Sequence, residues 1–312
     1  MEAYPTNFQE FLSRFKTDDD CWNYLFALRW PDGFSCPQCN SPKYYLNNRK
    51  VAECSECGHQ VSVTAGTIFH GTRKPLLLWF HIMWWVAEQQ KGVSASNFKE
   101  YMGFGSYETA WAWLHKLRRT MVCTSNEKLS GVIEVDEISV GCKQFAENMA
   151  GKEKTSKEKF EKTRVVVATE CLGTEIGRVR FKCIESETGD SLLQFIKDNI
   201  EYGSTIITKR GSAASSLSNS ENYIYLEQLK EVHKSGSNEL LPHLKIVDSC
   251  LTRWINSTHQ GNISTKHLGF YLDEFAFRFD KKLSSQGGKL FYKLVKQAVT
   301  SNPQPLKDLV KK

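Results

Sequence analysis

The chain lacks any apolar run long enough to cross a bilayer. A spanning helix needs about 20 consecutive apolar residues, and even the apolar stretch from Pro75 to Val86 falls short. No membrane-spanning helix is therefore expected, and no membrane partner. No secretory signal is visible, and no thioredoxin-like βαβ pattern surrounds the Cys-x-x-Cys pairs. Both absences speak against disulfide or redox roles for them. Extreme charge is missing too. With 41 Lys+Arg against 35 Asp+Glu, the net charge of +6 and pI near 8.7 suit a polyanionic partner without naming one. Wholesale disorder is excluded by the 40% hydrophobic content, with 18 Phe, 11 Tyr and 8 Trp. At 312 residues the chain has room for two or three domains.

The most informative feature present is a pair of cysteine knuckles, Cys36-Pro37-Gln38-Cys39 and Cys54-Ser55-Glu56-Cys57. Each knuckle can place two thiolates on one tetrahedral ion, and two knuckles complete a four-cysteine zinc site. Fourteen residues separate them, one fewer than the usual spacing of zinc ribbons. Tyr44-Tyr45-Leu46, Val51-Ala52-Glu53 and Gln60-Val61-Ser62-Val63 read as three short strands around the knuckles, with Asn47 to Lys50 as a turn. Gly58 supplies a residue free to take positive φ. Cys36, Cys39, Cys54 and Cys57 are thus expected to hold one structural zinc, with His59 the only spare ligand nearby. Cys21, Cys123, Cys142, Cys171, Cys183 and Cys250 are scattered like ordinary reduced thiols and take no part in that site.

Ahead of the ribbon, Phe8, Phe11, Leu12 and Phe15 recur at helical spacing, and Thr17-Asp18-Asp19-Asp20 caps a second helix. These apolar positions read as packing surface. Beyond the ribbon the period is helical again. A helix rich in tryptophan runs from Leu76 to Gln90. Ser94 caps a second, Gly103-Phe104-Gly105 makes a turn, and Ser106 caps a third from Tyr107 to Met121. Helix, glycine turn, helix is the outline of a helix-turn-helix reader of DNA, and equally of a small bundle with a solvated basic face. On the first reading, Lys116, Arg118 and Arg119 are donors to phosphates or base edges, beside His115. From about residue 131, strands and helices alternate: strands over 131–140, 164–170, 178–183 and 204–208, and a helix over 191–200. The segment 143–164 carries seven Lys/Arg against four Glu and reads as a charged loop.

Several motifs together carry a resemblance. Leu28-Arg29-Trp30-Pro31-Asp32-Gly33-Phe34 leads into the first knuckle, and Gly131-Val132-Ile133-Glu134-Val135-Asp136-Glu137 is followed by Gly141. Thr258-His259-Gln260-Gly261, Lys266-His267-Leu268, Tyr271 to Phe279 and Gly288 to Tyr292 continue in order. Over roughly residues 8–300 the chain resembles bacterial insertion-sequence transposases that carry an N-terminal zinc ribbon and an ISXO-like DDE domain. The resemblance implies a multidomain α/β protein: helices and ribbon over 1–70, a helix-turn-helix-like segment over 71–125, an RNase H-like mixed sheet over 126–300, and a tail over 301–312. It implies double-stranded DNA at the element's ends as partner, a homo-oligomer on that DNA, a bacterial cytoplasmic location, and magnesium in the catalytic domain.

Strand cleavage and transfer need divalent ions that activate the nucleophile and steady the leaving oxygen. Mg²⁺ takes oxygen ligands, so carboxylates must converge from separate elements. Asp136 matches the first ligand position, with Glu134 on the same strand face and Glu137 on the other. Lys209 stands at the second position, in Thr208-Lys209-Arg210-Gly211, and no acid lies between Gly203 and Ser220. Lys245 stands at the third, where the family uses an acid, amide or histidine, and Thr252 replaces a following lysine. Ammonium groups donate only and cannot coordinate Mg²⁺. Three readings follow: a DNA-binding, transposase-like protein with an impaired site; an active enzyme with displaced ligands such as Asp248 or Glu239; or a non-enzymatic zinc-ribbon regulatory protein. Asp273 and Glu274, in an aromatic-rich amphipathic helix, read as structural.

Overall fold

The computed structural model describes residues 4–89, 91–122, 128–144, 159–184, 189–209, 222–228, 241–261, 263–280 and 287–303. It divides into two compact units, one formed by Met1–Met121 with Ser284–Lys312 and the other by Val122–Leu283.

In the first unit, α1 (Phe8–Arg14) begins at Asn7, whose side chain accepts from the Glu10 N–H. Helix α2 (Asp18–Arg29) opens with a full capping box between Thr17 and Asp20. Phe11 and Phe15 are buried as the helical spacing requires, whereas Phe8 and Leu12 remain exposed. The next helix, α3 (Leu76–Glu88), starts at Pro75, which has no side-chain acceptor to offer. Asp18 supplies one from a distance: its carboxylate accepts from the N–H groups of Leu76 and Leu77 at 3.2 and 2.9 Å. That bond satisfies donors every helix start leaves open. The ribbon is an antiparallel sheet of β1 (Tyr44–Leu46), β2 (Val51–Cys54) and β3 (Gln60–Ser62), in that order.

Helices α4 (Ala95–Met102) and α5 (Tyr107–Thr120) follow α3, capped by Ser94 and Ser106 as expected. Gly103 ends α4 at φ +65°, the left-handed conformation that glycine adopts without cost. The last described helix of the chain, which we number α9 (Gly287–Thr300), packs on α3 in this same unit. Its Phe291 is fully buried and meets Phe11, Phe15, Phe80 and Trp84 with ring centroids 5.4–5.9 Å apart. The sequence division runs the α/β domain on to residue 300, but the compact second unit closes at Leu283.

The second unit is built on a five-stranded mixed sheet. Strands β4 (Val132–Gln144), β5 (Lys159–Leu172) and β6 (Glu175–Ile184) form an antiparallel meander. β7 (Thr205–Lys209) and β8 (Ile224–Gln228) add in parallel on the other side of β4, giving the order β6-β5-β4-β7-β8. This is the RNase H-like mixed sheet that the resemblance implies. Helix α6 (Gly189–Asn199) covers one face, where Ile133, Val135, Val166, Ala168 and Ile206 meet Phe195 and Ile196. Helices α7 (Pro242–His259) and α8 (Leu268–Phe279) cover the other, where Val140, Val165 and Val167 meet Leu244, Val247, Leu251 and Phe275. Two-residue alternation along β4 therefore sends Glu134, Asp136 and Ile138 toward α7 and α8.

Two sequence expectations change here. The charged segment 143–164 is partly strand, because the β4–β5 ladder continues through Gln144↔Lys159. Backbone pairing outweighs the segment's charge there, and the rest of it, 145–158, lies outside the described residues. Strand β8 was not anticipated, although its Ile224-Tyr225-Leu226 core has the aromatic and branched residues that suit a strand.

Candidate functional site

The four ribbon cysteines converge. Cys36 Sγ lies 3.6 Å from Cys57 Sγ, Cys39 Sγ lies 3.5 Å from Cys54 Sγ, and all four sulfurs fall within 4.8 Å of one another. A tetrahedral ion with Zn–S bonds of about 2.3 Å separates its sulfurs by about 3.8 Å, so the cluster fits zinc with little adjustment. The turns supply the electrostatics. Backbone N–H groups of Cys57 and Glu56 aim at Cys54 and hold its thiol down to about 6. Among the described residues a small hydrophobic cluster surrounds the site, Phe34, Ala52 and Val61 with Phe26, Trp30 and Ala65 against them, so the metal is expected to contribute much of what holds the ribbon folded.

In the second unit, Asp136 sits on β4 with its carboxylate on the α7 face. Lys209, at the end of the adjacent parallel strand β7, places Nζ 2.5 Å from Asp136 Oδ2. Paired register runs Glu134↔Ile207, so Asp136 and Lys209 are the next same-face residues along each strand. The two strands therefore hold the lysine and the aspartate side by side on one face of the sheet. Asp248, on α7, belongs to the same neighbourhood. Burial raises its carboxyl above the usual range, while the Lys209 charge works in the opposite direction. Lys245 lies in the first turn of α7, exposed, one turn before Asp248. Glu137 is exposed on the other side of β4, and Glu239 lies outside the described residues. Glu274 is buried against Arg278, with Oε1 2.8 Å from Nη2, a structural pair within α8.

Glu134 has a role that spacing alone left open. Its side chain is 4% exposed and accepts the Leu244 N–H at 2.8 Å through Oε2, while Oε1 meets His243 Nδ1 at 2.8 Å. His243 Nε2 reaches the Gly173 carbonyl at 3.0 Å. Leu241, the N-cap residue of α7, contributes no side-chain bond, so Glu134 serves the start of this helix from across the sheet. Cys171 stands beside the pair, its thiol pushed up to about 12 by burial and then by the Glu134 charge. The sequence signal was the two-residue step from Glu134 to Asp136, which puts both on one face. Nothing local identified His243 as its partner.

The basic helix α5 divides differently from the expectation. Arg119 is exposed and Lys116 is half-buried, burial drawing its ammonium below the usual lysine range. Arg118 and His115 are buried, the Arg118 guanidinium donating to the Val93 carbonyl at 3.1 Å. Arg118 is therefore a tie between α5 and the start of α4, not an outward donor. The cause is helical geometry: Leu114, Leu117 and Arg118 share one inward face, and Arg119 turns to the other.

A zinc ribbon and an RNase H-like sheet with an aspartate on its central strand define the build of a DDE-type DNA transposase. Residues 16–60 match the transposase zinc-ribbon domain, and residues 128–280 match the ISXO2-like transposase domain. The chain belongs to the insertion-sequence transposases that join these two domains. No curated protein matches it. None of the described helices is long and apolar enough to cross a membrane.

Proposed function

We propose that this protein is a transposase-family DNA-binding protein whose DDE-type site no longer cuts or joins DNA. The observation that carries the reading is the 2.5 Å contact of Lys209 Nζ with Asp136 Oδ2. A DDE site draws two divalent cations into a group of carboxylates. Here an ammonium already neutralises the surviving aspartate, and a second lysine, Lys245, stands at the third position. Double-stranded DNA remains the partner, held by the ribbon, the α4–α5 segment and the chain's net positive charge, with two or more copies acting on the element's ends. Supercoiled and linear DNA carrying those ends, incubated with the protein and Mg²⁺ or Mn²⁺, tests this. No nicking and no strand transfer is the expected result. Metal-dependent nicking that disappears with Asp136→Ala would overturn it.

One observation favours a second reading. Asp248 lies near enough to Lys209 to feel its charge, so it is the acid best placed to join Asp136 if the site is active with displaced ligands. In that case Asp248→Ala abolishes cleavage, while removal of the exposed Glu137 does not.

A further inference from the structure

The cluster of Glu134, Cys171 and His243 carries chemistry that the DDE reading does not use. One ligand atom from each of the three falls within 4.8 Å of the other two. They come from three different elements: β4, the end of β5, and the first turn of α7. The set of carboxylate, thiol and imidazole differs in kind from the all-oxygen environment that Mg²⁺ takes, and it suits a borderline-soft ion.

The hydrogen-bond pattern points the same way. The Gly173 carbonyl can only accept, so His243 Nε2, 3.0 Å away, must carry a proton. The other ring nitrogen, Nδ1, then faces Glu134 Oε1 at 2.8 Å, an acceptor facing an acceptor. A positive species must lie between them: a proton, which makes the ring an imidazolium, or a metal ion. An ion pair would use those two groups alone. The third group, Cys171, makes a weak contact with the Thr169 carbonyl at 3.9 Å and also bonds the Glu134 side chain, so thiol and imidazole converge on the same carboxylate. With a metal ion all three are accounted for. His243 would then make the bond that metal-bound histidines usually make, donating its distal N–H to a backbone carbonyl. Glu134 is likewise fixed through its second oxygen by the Leu244 N–H.

We propose that Glu134 Oε1, Cys171 Sγ and His243 Nδ1 form a second zinc site, with a fourth position open to water. Bonds of about 2.0–2.3 Å to oxygen, nitrogen and sulfur separate tetrahedral ligands by about 3.3–3.8 Å. The imidazole and carboxylate, 2.8 Å apart, must open slightly, and the thiol lies within 4.8 Å of both. The His243 side chain is 15% exposed, which leaves an entry route for the ion and its water. On binding, Cys171 gives up its proton to solvent and the ion replaces it. The ion would pin the first turn of α7 to the central strand, two residues from Asp136.

The test is metal analysis of the full-length protein, loaded with zinc and dialysed against metal-free buffer. The parent is expected to hold two zinc ions per chain, and Cys171→Ser or His243→Gln one. Cys54→Ser is expected to keep the second ion while losing the ribbon's. In cobalt-exchanged protein, Cys171→Ser should remove one component of the thiolate-to-cobalt absorption and leave the four-cysteine component intact. Should His243→Gln fail to fold, Cys171→Ser, which changes a half-buried thiol to a hydroxyl, still decides the matter. One zinc per chain in the parent, or two zincs retained in Cys171→Ser, would overturn the proposal. One zinc in the parent with a pH-dependent His243 signal would assign the pair to the imidazolium alone.

Discussion

Lys209 meets Asp136 across two parallel strands, Nζ to Oδ2 at 2.5 Å, with the lysine side chain 48% exposed and the aspartate 19%. At that exposure the pair is worth less than about 1 kcal/mol, because solvent screens it and the long side chain gives up entropy to hold it. Lys209→Met is therefore expected to shift the melting temperature by no more than about 4 °C. Chemistry should not return with one repair. Lys209→Asp alone is expected to leave cleavage undetectable. Lys209→Asp with Lys245→His or Lys245→Glu, and with Thr252→Lys if needed, is expected to bind Mn²⁺ by calorimetry. Cleavage by Lys209→Asp alone would show that Asp248 already completes the ligand set.

Loss of the ribbon's metal should unfold the ribbon and leave the α/β unit standing. Cys54→Ser removes the thiol held lowest by its surrounding N–H groups. It is expected to lower zinc content by one ion per chain and to lose the chemical-shift dispersion of Tyr44, Tyr45 and Leu46. Resonances from the second unit should stay dispersed. Full zinc content in Cys54→Ser would mean the four-cysteine assignment is wrong.

DNA binding should separate two neighbouring arginines. Arg119→Ala removes an exposed charge from α5, so it should weaken duplex binding broadly and reduce the salt slope by about one. Arg118→Ala instead deletes the bond to the Val93 carbonyl from a buried site. It should lower stability by about 1–3 kcal/mol, read by urea unfolding. Folded Arg118→Ala protein should keep the parent's salt slope.

The Glu170–Arg178 pair should make the second unit sensitive to acid. Arg178 Nη2 lies 2.6 Å from Glu170 Oε1, its Nε 3.0 Å from Oε2, and the Ser130 N–H donates at 3.0 Å. Burial pushes the Glu170 carboxyl up, but bonds from Arg178 and the Ser130 N–H outweigh it, and the net result is below the usual carboxylate range. A lowered folded-state value stabilises above the unfolded pKa, and that contribution is lost as pH falls through the folded value. The parent should therefore lose stability as pH falls from about 5 toward 3, and Glu170→Gln should lose less over that window. At neutral pH, Glu170→Ala should cost about 1–3 kcal/mol, because it removes the charged bonds to Arg178 while the guanidinium keeps its bond to the Lys128 carbonyl.

How far the sequence led depended on whether a signal was local. The capping box at Thr17, the serine caps of α4 and α5, and the four ribbon cysteines are short-range patterns, and each falls where its residues put it. The strand carrying Asp136 was legible because alternation and the family motif coincide there. Contacts across long sequence separations were not. Asp18 serving α3 spans 58 residues and Glu134 serving α7 spans 110, and neither leaves a mark in its own neighbourhood. Arg118 was misplaced for a related reason. A run of basic residues on a helix looks uniformly outward until the packing of α4 shows which of them faces in. Helix α9 has a clear amphipathic pattern, but nothing in that pattern names α3 as the surface it covers.

The placement of α9 bears on synthesis. Residues 122–283 emerge as one uninterrupted stretch and can complete their own sheet and helices, whereas the first unit must wait for Phe291. At about 5–20 residues per second, the 162 intervening residues (283 − 122 + 1) take roughly 8–30 s to appear. Throughout that interval Phe11, Phe80 and Trp84 lack the ring that seals them. A ribosome-bound chain at that stage shows a sticky aromatic surface at its front and a finished domain behind it. A premature stop between residues 283 and 287 would release the same species, a natural client for chaperones and proteases.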